Sequence, residues 1–273
     1  MSTLAPAKFV AIDIGNSSTK LGWFSAEELS GGSKGANPLP APSAVKEYPT
    51  ASLPAAELAQ QLSAEPVTWQ VASVHREAAQ RLEDWVGQNR PQDSFQLLIY
   101  SDLPLVVDVD FPARVGMDRL VAAVAAGALR NANSPAIVID AGTAITVDLV
   151  TATGAFAGGV ILPGFRLSAQ ALSLGTNQLP LAPFSAHDEP PAVIGKNTEA
   201  AIRSGLFWGT AGAVKELVER ISQTLPTQPQ IFVTGGDLWR LAPLLGENAK
   251  FIPNMVLSGI ALTTRHLGKR PKA

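Results

Sequence analysis

The chain has 273 residues, 46% hydrophobic and 16% charged, with a net charge of -2, enough for one large core or two smaller ones. It contains no cysteine, which excludes disulfides, thiolate catalysis and cysteine-based zinc sites. No apolar run reaches the roughly 18 residues of a membrane span, and no basic block stands out beyond Arg265–Lys272, so neither a membrane nor nucleic acid is an expected partner.

Met1–Lys8 carries no apolar stretch of the signal-peptide kind, so a cytoplasmic location is expected. Residues 8–25 predict a β-hairpin: V-A-I-D-I-G-N-S-S-T-K-L-G-W over 10–23 is an apolar run, an acidic glycine turn and a second run. Residues 30–43, rich in Gly, Pro and Ser, read as a loop. A helix is expected around 54–63, a strand over Val67–Val74, a helix over Arg76–Gln88 and a strand over Phe95–Tyr100. Residues 116–132 give the clearest helix, rich in Ala, Leu and Val, and Asn131–Pro135 ends it.

The second half then repeats the first. I-V-I-D-A-G-T-A-I-T-V-D-L-V over 137–150 superimposes on 10–23, with Asp140 on Asp13, Gly142 on Gly15 and Thr146 on Thr19. A third strand and a glycine-rich turn follow over 154–164, then a helix around 165–174 and a proline-rich stretch over 180–194. A long helix is expected over 198–222, with Thr198 as its N-cap and Glu199 in its first turn. Ile231–Thr234 reads as a strand running into Gly235-Gly236-Asp237, and the last helix as about 255–266. This alternation predicts an α/β protein of two duplicated units, 1–132 and 133–273.

The chemistry concentrates in these repeats. In Asp13-Ile14-Gly15-Asn16-Ser17-Ser18-Thr19-Lys20, small turn residues let backbone N–H groups approach phosphate oxygens, and Asp13 can hold a magnesium ion on them. Asp140-Ala-Gly142-Thr143 is the matching turn, and two such turns facing each other would grip a nucleotide triphosphate. Gly116-Met117-Asp118-Arg119 opens the clearest helix. Asp118 could cap it, or accept the proton of an attacking hydroxyl, with Arg119 holding an anion. Gly158-Gly159-Val-Ile-Leu-Pro163-Gly164 is a fourth constellation, and Thr234-Gly235-Gly236-Asp237, after a strand, is a weak signal that is more often only a turn. His75, His187 and His266 lack metal-ligand spacing, and the five tryptophans, at 23, 69, 85, 208 and 239, suit core or interface better than a stacking platform.

In order, Asp-x-Gly-Asn, Gly-x-Asp-Arg, Asp-x-Gly-Thr-Ala-x-Thr and Gly-x-Ile-x-Pro-Gly resemble the type III pantothenate kinases over nearly the whole chain. The resemblance implies two ribonuclease-H-like domains of the acetate and sugar kinase, Hsp70 and actin-like superfamily around a nucleotide cleft. It implies phosphorylation of pantothenate by ATP, the first step to coenzyme A, in a homodimer. By motif, Asp13–Lys20 and Thr143 bind ATP with Mg2+, and Asp118 is the proton acceptor. Gly116, Met117, Asp118, Arg119 and Thr198 contact pantothenate, and Asp140 binds a monovalent cation, K+ or NH4+. The chain departs from the pattern at Ser17, where the family usually has Thr, and at Val109, where it usually has a substrate-contacting Tyr; Tyr100 lies too far upstream to align there. Two other readings share these motifs: an ATP-binding transcriptional accessory protein, and a kinase for another small hydroxy acid.

Overall fold

The computed structural model describes residues 9–30, 38–52, 54–62, 64–183, 189–236 and 242–268. The chain divides into two compact units, one of Met1–Leu129 with Asn254–Ala273, the other Arg130–Pro253.

In the first unit, β1 (Phe9–Ile14), β2 (Ser18–Phe24), β3 (Ala44–Pro49), β4 (Thr68–Ser73) and β5 (Ser94–Leu97) form a sheet of order β3-β2-β1-β4-β5. β1 runs antiparallel to β2 and parallel to β4. β1 is buried along nearly its whole length, as a strand covered on both faces must be, and its sequence FVAIDI is apolar up to Asp13. The helices of this unit are α1 (Ala26–Ser30), α2 (Ala55–Gln61), α3 (Arg76–Asn89), α4 (Met117–Leu129) and, from the end of the chain, α7 (Met255–Leu267). Val10, Ile12, Trp23, Trp69 and Val71 pack with Leu82 and Val86 of α3 in one core. Asp93 ties β4 to β5: it accepts from Trp69 Nε1 at 2.8 Å and Val67 N at 3.0 Å and pairs with Arg90 at 2.9 Å. Burial opposes the Asp93 carboxylate, but the bonds from Arg90, Trp69 and Val67 outweigh it and hold its pKa below the usual range.

The second unit repeats the plan. β6 (Ala136–Ala141), β7 (Ala144–Val150), β8 (Phe156–Pro163), β9 (Gln230–Thr234) and β10 (Ala249–Phe251) take the order β10-β9-β6-β7-β8. Read from β8, that is the first sheet's order, with β6 again antiparallel to one neighbour and parallel to the other. Its helices are α5 (Phe165–Leu174) and α6 (Thr198–Gln223). Ile137, Ile139, Ile145, Val147 and Val233 pack against Phe207 and Val214 of α6, and Phe165 stacks on Phe207 at 6.2 Å between centroids. The duplicated α/β architecture expected from the sequence is therefore present.

Several boundaries differ from the sequence reading. The expected second unit of 133–273 included the last helix, but α7 packs with the first unit: Gly259 lets it approach α4 so closely that a Cβ there would fall onto the Val121 carbonyl. The strand expected to reach Tyr100 stops at Leu97, and Tyr100–Asp102 forms a 3₁₀ turn capped by Asp102, which accepts from Ile99 N at 3.0 Å. Asn197, not Thr198, caps α6: its Oδ1 accepts from Ala200 N at 2.8 Å, while Thr198 is the helix's first residue. Trp23 and Trp69 are core residues, as expected, and Trp85 meets Trp69 edge-on. Trp208 donates to the Pro191 carbonyl; Trp239, His187, Asp237 and Met1–Lys8 lie outside the described residues.

Candidate active site

The first acidic hairpin closes through Gly15, Asn16 and Ser17. Gly15 N donates to Ser18 O at 3.0 Å, and Asn16 is exposed at the tip. Thr50, buried just past β3, braces this turn. Its hydroxyl donates to Gly15 O at 2.8 Å and its N–H to Ser17 O at 3.1 Å. Thr19 lies 3.1 Å from the Thr50 hydroxyl, and Arg81 of α3 donates to Thr50 O at 3.1 Å. Asp13, half-buried at the end of β1, stands opposite Lys20 of β2.

The second hairpin is one residue tighter. Gly142 and Thr143 separate the strands, and Gly142 N donates to Ala144 O at 3.0 Å. Asp140 stands opposite Thr146 on β7 and beside Thr234 on β9. The sequence match of Thr146 with Thr19 is therefore not a structural match. Thr19 pairs with Ile14, and Lys20 occupies the place that Thr146 fills in the second unit. A register change of one residue moves a side chain to the other face of the sheet.

The last two glycine motifs gain a role here. Gly164 N donates to Thr143 O at 3.0 Å, and a Cβ on Gly164 would fall onto the Gly142 carbonyl. Gly235, at φ +100°, lies so close to Ala141 that a Cβ would strike its carbonyl oxygen. Gly159 leaves room for the buried Asp148 carboxylate, a residue the sequence reading did not single out.

Gly116 leads α4, its carbonyl accepting from Leu120 N at 3.3 Å. The Asp118 carboxylate folds back over this turn: its Oδ1 accepts from Arg119 N at 2.8 Å and fills the space a Gly116 Cβ would take. Burial pushes the Asp118 pKa up, while the Arg119 N–H and guanidinium pull it down without cancelling the rise. A carboxylate so placed is a stronger proton acceptor than one in water. Met117 is buried and Arg119 half-buried. Beside this turn, within the first unit, lies a cavity of about 610 Å³ whose walls include Gly116, Met117 and Tyr100. Tyr100 is brought there by the 3₁₀ turn after β5, a placement that sequence spacing did not reveal. Thr198 belongs to the second unit, where it is exposed.

Among the described residues no three His, Cys, Asp or Glu side chains could together hold a metal ion. A cation here would need ligand oxygens to complete its shell. The second hairpin fits that demand, because Thr146 Oγ1, opposite Asp140, is buried with no hydrogen-bond partner. His75 caps α3 through Nδ1, which accepts from Ala78 N at 3.3 Å, and His266 lies in the last turn of α7. No described helix is long and apolar enough to cross a membrane.

The family model of the type III pantothenate kinases matches residues 9–220. A type III pantothenate kinase from Gluconobacter oxydans is 41% identical over 165 residues, which cover 59% of this chain and 58% of that protein. Another, from Rubrobacter xylanophilus, is 34% identical over 268 residues, covering 92% of this chain and 95% of its own length. Among solved structures, a chain from Campylobacter jejuni assigned to the Baf family of transcriptional activators aligns with a TM-score of 0.59 at 18% identity, over 96% of this chain and all of that one. The activator of 2-hydroxyisocaproyl-CoA dehydratase from Clostridium difficile, with bound ADPNP, aligns with a TM-score of 0.52 at 13% identity, over 97% and 98% of the two chains. At such identities these two likenesses speak for the fold alone.

Proposed function

Because this chain belongs to the type III pantothenate kinase family, we propose that it transfers the γ-phosphoryl group of ATP to the 4′-hydroxyl of pantothenate, the first step toward coenzyme A. The observation that carries the reading is Asp118, a carboxylate of raised pKa folded over a glycine turn beside a cavity of about 610 Å³.

In this reading Asp118 accepts the proton of the attacking hydroxyl, and Arg119 holds an anionic group of the substrates. Gly116 and Met117 contact the acceptor through the turn that carries Asp118, and Thr198 contacts it from the start of α6. The turn of residues 13–20, kept in shape by Thr50, lies along the ATP phosphates, with Lys20 adding positive charge, and Thr143 contacts ATP from the second turn. Asp13 would hold Mg2+ on the phosphates and Asp140 a monovalent cation, K+ or NH4+. Bound there, such cations offset the charge of the transferring phosphoryl group. The active form is a homodimer in the cytoplasm.

The test is an ADP-release assay with pantothenate, run in K+ and then with K+ replaced by a bulky organic cation. Turnover that depends on pantothenate and K+ is expected; turnover without pantothenate, or equal in both salts, contradicts the reading. Val109, half-buried where the family usually has Tyr, favours a second reading, a kinase for another small hydroxy acid. A panel of such acids in the same assay separates the two.

A further inference from the structure

The second unit holds a cavity of about 410 Å³ that none of the glycine turns lines. Its floor is apolar: Val218 of α6, Ile231 of β9 and Leu245. Its walls carry two carboxylates from different elements, Glu219 of α6 and Glu247 of the turn before β10. The side-chain amides of Gln223, Gln228 and Asn248 complete them. Among the described residues that line it there is no Lys, Arg or His. Arg220, next to Glu219 in the chain, pairs with Glu216 at 2.7 Å, and Glu219 is its lesser electrostatic neighbour. Glu219 accepts a long hydrogen bond, 3.4 Å, from Gln223 Nε2. The cavity also meets the C-terminal end of α6, where the helix dipole favours positive charge. It lies away from the second hairpin. β9 runs parallel to β6, with Gln230 beside Ala136 and Thr234 beside Asp140, so cavity and hairpin are at opposite ends of one strand. Ile231 and Thr234 are about 10 Å apart along it.

We propose that this cavity binds an aliphatic diamine: Glu219 and Glu247 take its two ammonium groups, and Val218, Ile231 and Leu245 lie along its methylene chain. An ammonium has three donors and no acceptor, so carboxylates and amide carbonyls satisfy it where they would repel an anion. A metal ion matches less well. Among the described residues no three acids group to hold one, and an apolar floor offers it no ligand. A monoamine leaves one carboxylate without a partner, so charge at both ends is the basis of selectivity. The volume suits a small organic molecule. The proposal does not depend on the kinase reading, since the site is separate from Asp118 and from both hairpins.

Calorimetric titration with diamines from 1,4-diaminobutane to 1,8-diaminooctane, and with the matching monoamines, tests the site without requiring turnover. All are protonated at neutral pH, and low ionic strength limits screening of the exposed carboxylates. Wild type is expected to bind at least one diamine, at least about tenfold more tightly than its monoamine, the size of one hydrogen bond to a charged group. Glu247→Gln, an exposed change outside any helix, should bring that diamine down to the monoamine level. The double variant Glu219→Gln/Glu247→Gln should weaken it further with an unchanged melting temperature. Hydrogen exchange in the presence of the diamine should slow over residues 218–231 and 245–249 and stay unchanged over 9–24. A wild type that binds no diamine, or binds it no better than the monoamine, overturns the proposal. So does a Glu247→Gln protein that keeps wild-type affinity, or protection confined to the first unit.

Discussion

The two acidic hairpins occupy the same place in two sheets of the same order, yet they are built by different means. The first has the longer turn, and a neighbouring hydroxyl, Thr50, holds it through side-chain and backbone hydrogen bonds. The second has the shorter turn, held by glycines, Gly164 and Gly235, whose missing side chains let backbone press on backbone. The cross-strand partner of the acid differs accordingly: Lys20 stands opposite Asp13, and Thr146 opposite Asp140. A lysine beside an acid suits a turn that meets phosphates. A hydroxyl with a free lone pair beside an acid suits a cation. One inserted residue was enough to give a duplicated motif two electrostatic characters.

Substitutions at the braces should separate the two designs. Gly235→Ala combines a strained backbone at φ +100° with a clash on Ala141, so it should destabilise the second unit by roughly 3 kcal/mol or more. Gly142→Ala, whose Cβ meets nothing within 4 Å, should be nearly silent in the same urea melt. Equal effects would show that glycine packing does not hold this hairpin. Thr50→Val should cost about 1–2 kcal/mol, because it leaves the Gly15 carbonyl and the Thr19 hydroxyl without Thr50. Hydrogen exchange should localise that loss to residues 13–20; a change spread evenly over both units would argue against the brace. Smallest is Thr146→Val. Without ligand it should be neutral or stabilising by up to about 1 kcal/mol, since the hydroxyl it removes is buried and unpaired. A clear loss of stability in cation-free buffer would mean that the hydroxyl has a structural partner.

Much of this was legible in the sequence. The apolar runs ending in Asp13 and Asp140 marked both hairpins, because a central strand buried on both faces needs such a run. The turn Gly116–Arg119 and its helix were equally plain. What remained hidden depends on spatial partners. Matching identical letters paired Thr146 with Thr19, whereas hydrogen-bond register pairs its position with Lys20; a two-residue turn and a three-residue turn look alike in a pattern of small residues. Placing α7 with the first unit needs the close contact of Gly259 with Val121, which no local signal reports. The edge strands β3 and β10 were missed, the first half exposed and the second only three residues long. Tyr100 reaches the cavity wall through a 3₁₀ turn where the sequence suggested a continuing strand.

The measurement closest to the central claim is the rate of pantothenate-dependent ADP release by Asp118→Asn. A general base contributes roughly 10²–10⁴ in rate, so kcat should fall by that much while the KM for ATP stays nearly constant. In wild type the base must be deprotonated. Because burial raises the Asp118 pKa, the acid limb of the kcat profile should lie above the ordinary carboxylate range, with activity lost as pH falls through it, and the variant should lack that limb. An Asp118→Asn enzyme that turns over at the wild-type rate, with the wild-type acid limb intact, would reduce Asp118 to a helix-start residue and contradict the account.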